Sequence, residues 1–174
     1  MHHDSSNARR IAALLLLAGH LQMAGAQPAP TRILTGDDLT EPNVIKALFP
    51  KGDERDFKRP PSASLLITFE TNSATLSENA RHELDVVAGA LGNNKLRRFN
   101  FVVEGHADPR GTSEANLTLS QLRANAVRSY LMQRAVEPGR LVALGKGDRE
   151  PLRPRDPAAP ENRRVTFTTQ PLAE

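Results

Sequence analysis

Apolar and polar residues alternate over Leu65–Glu70, with Leu65, Ile67 and Phe69 on one side and Leu66, Thr68 and Glu70 on the other. A period of two predicts a strand with one buried face. The period then changes. Ser77 is placed to cap a helix, Glu78 suits its first turn, and Ala80, Leu84, Val87, Ala88 and Leu91 recur at helical spacing until Gly92-Asn93-Asn94 stops it. A second strand is predicted over Phe99–Glu104, with Phe99, Phe101 and Val103 on one face. After a polar loop, Ser120 is the expected N-cap of a helix to about Arg134, burying Ala124, Val127 and Leu131. Arg140–Leu144 reads as a third strand and residues 145–161 as a Gly/Pro-rich loop. Val165, Phe167 and Thr169 alternate as the last strand. The order β-α-β-α-β-β predicts an α/β (α+β) sandwich: a mixed four-stranded sheet with helices packed on one side.

The N-terminal third is less regular. Thr40 is placed to cap a short helix with Pro42 in its first turn and Val44, Ile45 and Leu48 on its apolar side, ended by Pro50. Residues 51–64 are charged and hold Pro60-Pro61, as an exposed connector does. Residues 27–64 are therefore expected to form a linker with one short helix, residues 65–170 a domain and 171–174 a tail. Residues 1–26 have the parts of an export signal: Arg9 and Arg10, the apolar run Ile11–Gly19, and Ala24-Gly25-Ala26 before Gln27. The apolar run is about half the ~20 residues of a spanning helix, so cleavage is expected rather than anchoring. No barrel is expected either, because alternating apolar strands are missing from 27–64.

Composition narrows the chemistry. Only 4% of residues are aromatic, and the +3 formal charge is spread among interspersed acids and bases. That argues against nucleic acid, which needs stacking platforms or a basic stripe. The absence of cysteine excludes disulfides, thiolate catalysis, thiolate-bound zinc and a lipidated cysteine. Past residue 26 only His82 and His106 remain, too few for a histidine-based metal site.

The loop Glu104–Ala124, EGHADPRGTSEANLTLSQLRA, concentrates charge around a Gly-rich turn. Ser113 and Ser120 sit on no Gly-x-Ser-x-Gly elbow, so a Ser-His-Asp triad is disfavoured. A metal site of His106, Asp108 and Glu114 lacks a further ligand, and Gly111-Thr112 has no phosphate-loop lysine. Two readings stay open. Asp108 just past a strand end and Arg123 in the following helix can hold a zwitterion, the guanidinium taking a carboxylate and the carboxylate an ammonium. Equally, the two can form an ordinary surface salt bridge.

Four segments then carry a resemblance. Residues 69–91 (FETNSATLSENARHELDVVAGAL), 103–131 (VEGHADPRGTSEANLTLSQLRANAVRSYL), 140–152 (RLVALGKGDREPL) and 161–165 (ENRRV) together resemble the OmpA-like C-terminal domain. That family includes peptidoglycan-associated lipoproteins and the wall-binding part of flagellar stator proteins. The resemblance implies non-covalent, non-enzymatic binding of peptidoglycan, chiefly its diaminopimelate, in the periplasm or at the outer membrane of a Gram-negative bacterium, with no cofactor. It implies that Asp108 and Arg123 grip the ligand, that Thr71, Asn72, Ser73 and Asn116 line the pocket, that Leu119 is its apolar floor, and that Asn162 and Arg163 lie near. His106, Gly105 and Gly111 are expected to order the loop, by hydrogen bonds and by backbone geometry. Arg164 is expected to pair with an acidic neighbour on the sheet. The usual Gly-His-Thr-Asp has Ala107 in place of threonine, which is expected to hold Asp108 less rigidly by one hydroxyl hydrogen bond, ~0.5–1.5 kcal/mol. The alternative is an envelope protein–protein interaction module, with partners reached through residues 27–64 and weak or no wall binding.

Overall fold

A computed structural model describes residues 31–49, 60–69 and 73–171. The expected export signal, Thr71 and Asn72 lie outside the described residues. Among the described residues, strands β1 (Arg32–Leu34), β2 (Ser62–Leu65), β3 (Phe99–His106), β4 (Leu141–Gly147) and β5 (Val165–Pro171) form one mixed sheet in the order β1-β2-β5-β3-β4. The helices are α1 (Glu41–Leu48), α2 (Glu78–Gly92) and α3 (Ser113–Gln133). The mixed α+β class is as expected, but the sheet has five strands rather than four. The extra one, β1, pairs in parallel with β2 through Arg32↔Ala63 to Leu34↔Leu65.

Residues read as a linker therefore help to build the fold. Leu34, Val44 and Leu48 are buried in the common core with Leu65, Leu84, Leu91, Phe101 and Phe167. Thr169 donates its hydroxyl to the Leu48 carbonyl at 2.7 Å, tying the end of α1 to the sheet. The register explains the core: Ala63 and Val103 both oppose Phe167, and Leu65 and Gly105 both oppose Val165, all on the helix-bearing face.

Two predicted boundaries move, each for a physical reason. The strand expected over Leu65–Glu70 ends at Leu65, because its antiparallel partner β5 begins at Val165. Beyond that pair the partner chain turns through a 3-10 helix, Pro160–Asn162, so Leu66–Phe69 leave the sheet. Phe69 bridges only to Leu76. The second long helix starts at Ser113, not after Ser120. Thr112 is its cap, its hydroxyl accepting from the Ala115 amide at 3.2 Å. The first two turns were illegible as helix because their inward residues, Asn116 and Ser120, are polar. Ser120 donates to the Leu117 carbonyl and accepts from the Gly147 amide, both at 2.8 Å. Ser77 caps α2 as expected, accepting from the Ala80 amide at 3.1 Å.

α3 crosses from β3 to the parallel strand β4 and lies on glycines. A Cβ at Gly105 would overlap the Ser120 carbonyl oxygen, and one at Gly145 would stand 2.6 Å from the Gln121 amide nitrogen. The same helix closes the outer edge of β4. Gln121 accepts from the Gly145 amide at 2.7 Å and donates to the Ala143 carbonyl at 3.3 Å, and Arg128 donates to the Leu141 carbonyl at 2.8 Å. An edge strand is thus denied to other chains by side chains rather than by another strand.

Candidate functional site

The pocket opens where β3 ends and the chain leaves the sheet. Its cavity is about 670 Å³, lined by the Leu66–Phe69 segment, Ala107, Asp108, Arg110, Asn116, Leu119, Arg123, Pro160 and Arg163. Three parts of the fold meet there: the segment released after β2, the turn between β3 and α3, and the 3-10 turn before β5. The early start of α3 matters, because it puts Asn116, Leu119 and Arg123 on one helix above that turn.

Asp108 is the charged centre and is 5% exposed. The Arg110 guanidinium grips it with Nη2 at 2.6 Å from Oδ2 and Nε at 3.0 Å from Oδ1. Arg163 Nη1 donates to Oδ2 at 2.8 Å. The Arg110 amide adds a bond to Oδ1 at 3.2 Å, closing an Asx turn. These donors, Arg110 foremost, pull the carboxyl down to about 2 from 3.8, against the cost of burial. Asp108 is therefore held tightly, and the looseness expected from Ala107 is not found. Ala107 itself secures the start of the turn through its amide, 2.8 Å from the Gly147 carbonyl.

Arg123 does not bond Asp108. Its Nε donates to the Ser73 carbonyl at 3.1 Å and its guanidinium lies 4.8 Å over the Phe69 ring. Burial and the nearby Arg163 charge lower its pKa, while Asp108 supports the charged form. The surface salt-bridge reading thus fails for this pair, and the guanidinium is fixed by a carbonyl and a ring. Its remaining donors can serve a ligand. Among the described residues the pocket holds one carboxylate beside three guanidiniums, with Leu119 and Phe69 supplying apolar wall.

Other expected residues have other tasks. Asn162 is fully buried and spent on its own loop, donating to the Asp156 and Pro157 carbonyls at 3.0 and 2.8 Å and accepting from the Arg153 amide at 2.9 Å. Asn116 lines the cavity while donating to Asp148 at 3.0 Å. The Ser73 hydroxyl turns back to Thr75, and only its carbonyl faces the site residues. Gly111 is needed for the turn, its φ being +98°. Gly105 belongs to β3 and serves helix approach rather than the loop.

His106 corrects an expectation. It is 3% exposed, and neither ring nitrogen has a hydrogen-bond partner among the described residues. It orders the turn only through its backbone, whose amide donates to the Arg164 carbonyl at 2.9 Å. Burial, then the Arg164 and Lys146 charges, push the ring down to about 3 from 6.5, so it stays neutral. Arg164 pairs with the Glu150 backbone carbonyl at 3.1 Å. Sequence reasoning missed Arg110, Phe69 and Pro160. The Asp-Pro-Arg-Gly order was the available signal for Arg110, since an Asx turn folds the third residue back on the first.

Among the described residues no group of His, Cys, Asp and Glu could hold a metal ion. Among them, too, no helix is long and apolar enough to cross a membrane.

The fold is shared with proteins of known structure. The OmpA family profile matches residues 68–164, and the chain belongs to that family. It is 36% identical over 104 residues to a peptidoglycan-associated lipoprotein of Mesorhizobium japonicum, covering 59% of this chain and 61% of that protein. It is 39% identical over 84 residues to the protein of the same name from Pseudomonas aeruginosa, covering 48% of each. The chain thus spans between about half and three fifths of the length of these curated relatives. The crystal structure of the peptidoglycan-associated lipoprotein from Burkholderia pseudomallei superposes with a TM-score of 0.52 at 29% identity, covering 67% of this chain and 98% of that one. The periplasmic domain of Helicobacter pylori MotB (residues 97–256) shares the fold, with a TM-score of 0.56 at 22% identity, covering 64% of this chain and 83% of that one.

Proposed function

We propose that this protein binds peptidoglycan non-covalently in the periplasm, taking the zwitterionic end of diaminopimelate in its pocket and contributing to envelope integrity without catalysing a reaction. The observation that carries the reading is the pocket itself: a buried carboxylate, Asp108, set among the guanidiniums of Arg110, Arg123 and Arg163 over an apolar wall. A ligand with an ammonium beside a carboxylate matches both signs, and its methylene chain suits Leu119 and Phe69. Charge-assisted bonds are the strong ones, and bidentate guanidinium pairing adds directional selectivity. Among the described residues that line the pocket, none pairs as a nucleophile with its base. Kinship with proteins named for peptidoglycan association supports the same reading.

The test is sedimentation of the purified chain with insoluble peptidoglycan, wild type beside Asp108→Ala and Arg123→Ala. Wild type is expected to pellet and both variants to stay in solution with unchanged circular dichroism. Equal pelleting of all three would sink the reading. Incubation with soluble muropeptides should release no fragment, and any cleavage product would overturn the non-enzymatic part.

A further inference from the structure

We propose that Arg110 sets the selectivity of the pocket: it holds Asp108 and yields it only to a ligand whose own carboxylate takes the guanidinium in turn. This rests on the zwitterion reading above.

The argument starts from lone pairs. An ionised carboxylate offers about four acceptor sites. Asp108 Oδ1 already accepts from the Arg110 amide at 3.2 Å and from Nε at 3.0 Å. Oδ2 accepts from Arg110 Nε at 3.1 Å, from its Nη2 at 2.6 Å and from Arg163 Nη1 at 2.8 Å. The carboxylate is saturated. An ammonium can reach it only by displacing a donor.

The donor to leave is Arg110. Its side chain is 67% exposed against 39% for Arg163, so water receives it at least cost. It stands on the turn beside Gly111, whereas Arg163 follows a 3-10 helix pinned by the buried Asn162. Once displaced, Arg110 loses its charge-assisted bonds to Asp108. A ligand bearing only an ammonium leaves that loss uncompensated. A ligand with a carboxylate next to the ammonium restores a fork-to-fork pair to the same guanidinium, a short swing from its starting place. The free pocket therefore discriminates against plain amines before any ligand contact is optimised, which is selectivity by a competing interaction.

The experiment compares free meso-diaminopimelic acid with cadaverine, which has the two ammonium groups and no carboxylate. Affinities are measured by NMR titration for wild type and Arg110→Ala, and Asp108 is titrated by carboxyl carbon shifts without ligand. Arg110→Ala is expected to raise the Asp108 pKa, to tighten cadaverine, and to reduce the diaminopimelate-over-cadaverine ratio by about tenfold. Arg110→Lys should fall between, keeping the charge without the fork. A wild type that binds diaminopimelate with a ratio untouched by Arg110→Ala overturns this proposal alone. A wild type that binds neither compound overturns the wall reading and this proposal with it.

Discussion

Gly145→Ala tests whether α3 is seated by its glycines. The added Cβ would stand 2.6 Å from the Gln121 amide nitrogen and 2.8 Å from its Cα. Uncharged heavy atoms settle at about 3.5 Å or more, so the helix must recede by about 0.9 Å. Overpacking of this kind costs ~1–3 kcal/mol. Moving Gln121 also strains its two bonds to β4, worth ~1 kcal/mol each at most. Against this, alanine restricts the unfolded chain and returns ~0.4–1 kcal/mol, because Gly145 has no positive φ to lose. The overlap wins, by about 1–3 kcal/mol net, or a Tm lower by roughly 4–12 °C in a domain of this size. Thermal and urea unfolding followed by circular dichroism measures it. Gly92→Ala is the control: it ends α2 with nothing within 4 Å, and should gain a few tenths to 1 kcal/mol. A Gly145→Ala protein as stable as wild type would refute the reasoning. Because α3 carries Asn116, Leu119 and Arg123, the proposed wall binding should weaken in the same variant even below its Tm.

Three further outcomes are expected. Arg140 is buried and donates to the Phe99, Leu91 and Leu96 carbonyls at 3.0, 3.1 and 2.8 Å, so Arg140→Met should cost about 3 kcal/mol or more in urea unfolding while the pocket is left unbonded to the change. His106 binds a proton below about pH 6.5 when unfolded but only below about 3 when folded. Its contribution is therefore whole above pH 6.5 and lost as pH falls from 6.5 towards 3, by about 2 kcal/mol at pH 5. Urea midpoints at pH 7 and 5 should differ less for His106→Gln than for wild type, and equal differences would refute it. Gln121→Ala should uncover the Ala143 carbonyl and Gly145 amide on β4, and light scattering should detect self-association at concentrations where wild type is monodisperse.

Apolar spacing with cap and stop residues determined α1 and α2, and spacing the inward faces of β3 and β5, because there the buried residues are apolar. Asp108 and Arg123 were legible as pocket candidates for a different reason: a carboxylate and a guanidinium sit at a fixed offset around a turn, whereas Leu119 was implied only by the family resemblance. The start of α3 was not legible. Its inward residues are polar, and their long-range partners, the Gly147 amide and Asp148, lie some thirty residues on. The end of β2 was decided by where its partner β5 begins, which no local window contains. β1 exists because β2 offers it an edge; three residues of Arg-Ile-Leu carry no period of their own. The ion-pair arrangement was likewise tertiary. Charge and spacing suggested Asp108 with Arg123, but packing placed Arg123 over Phe69 and left Asp108 to Arg110 and Arg163. Sequence determines which side chains want burial or a counter-charge, and the fold decides which of the candidates comes within 3 Å.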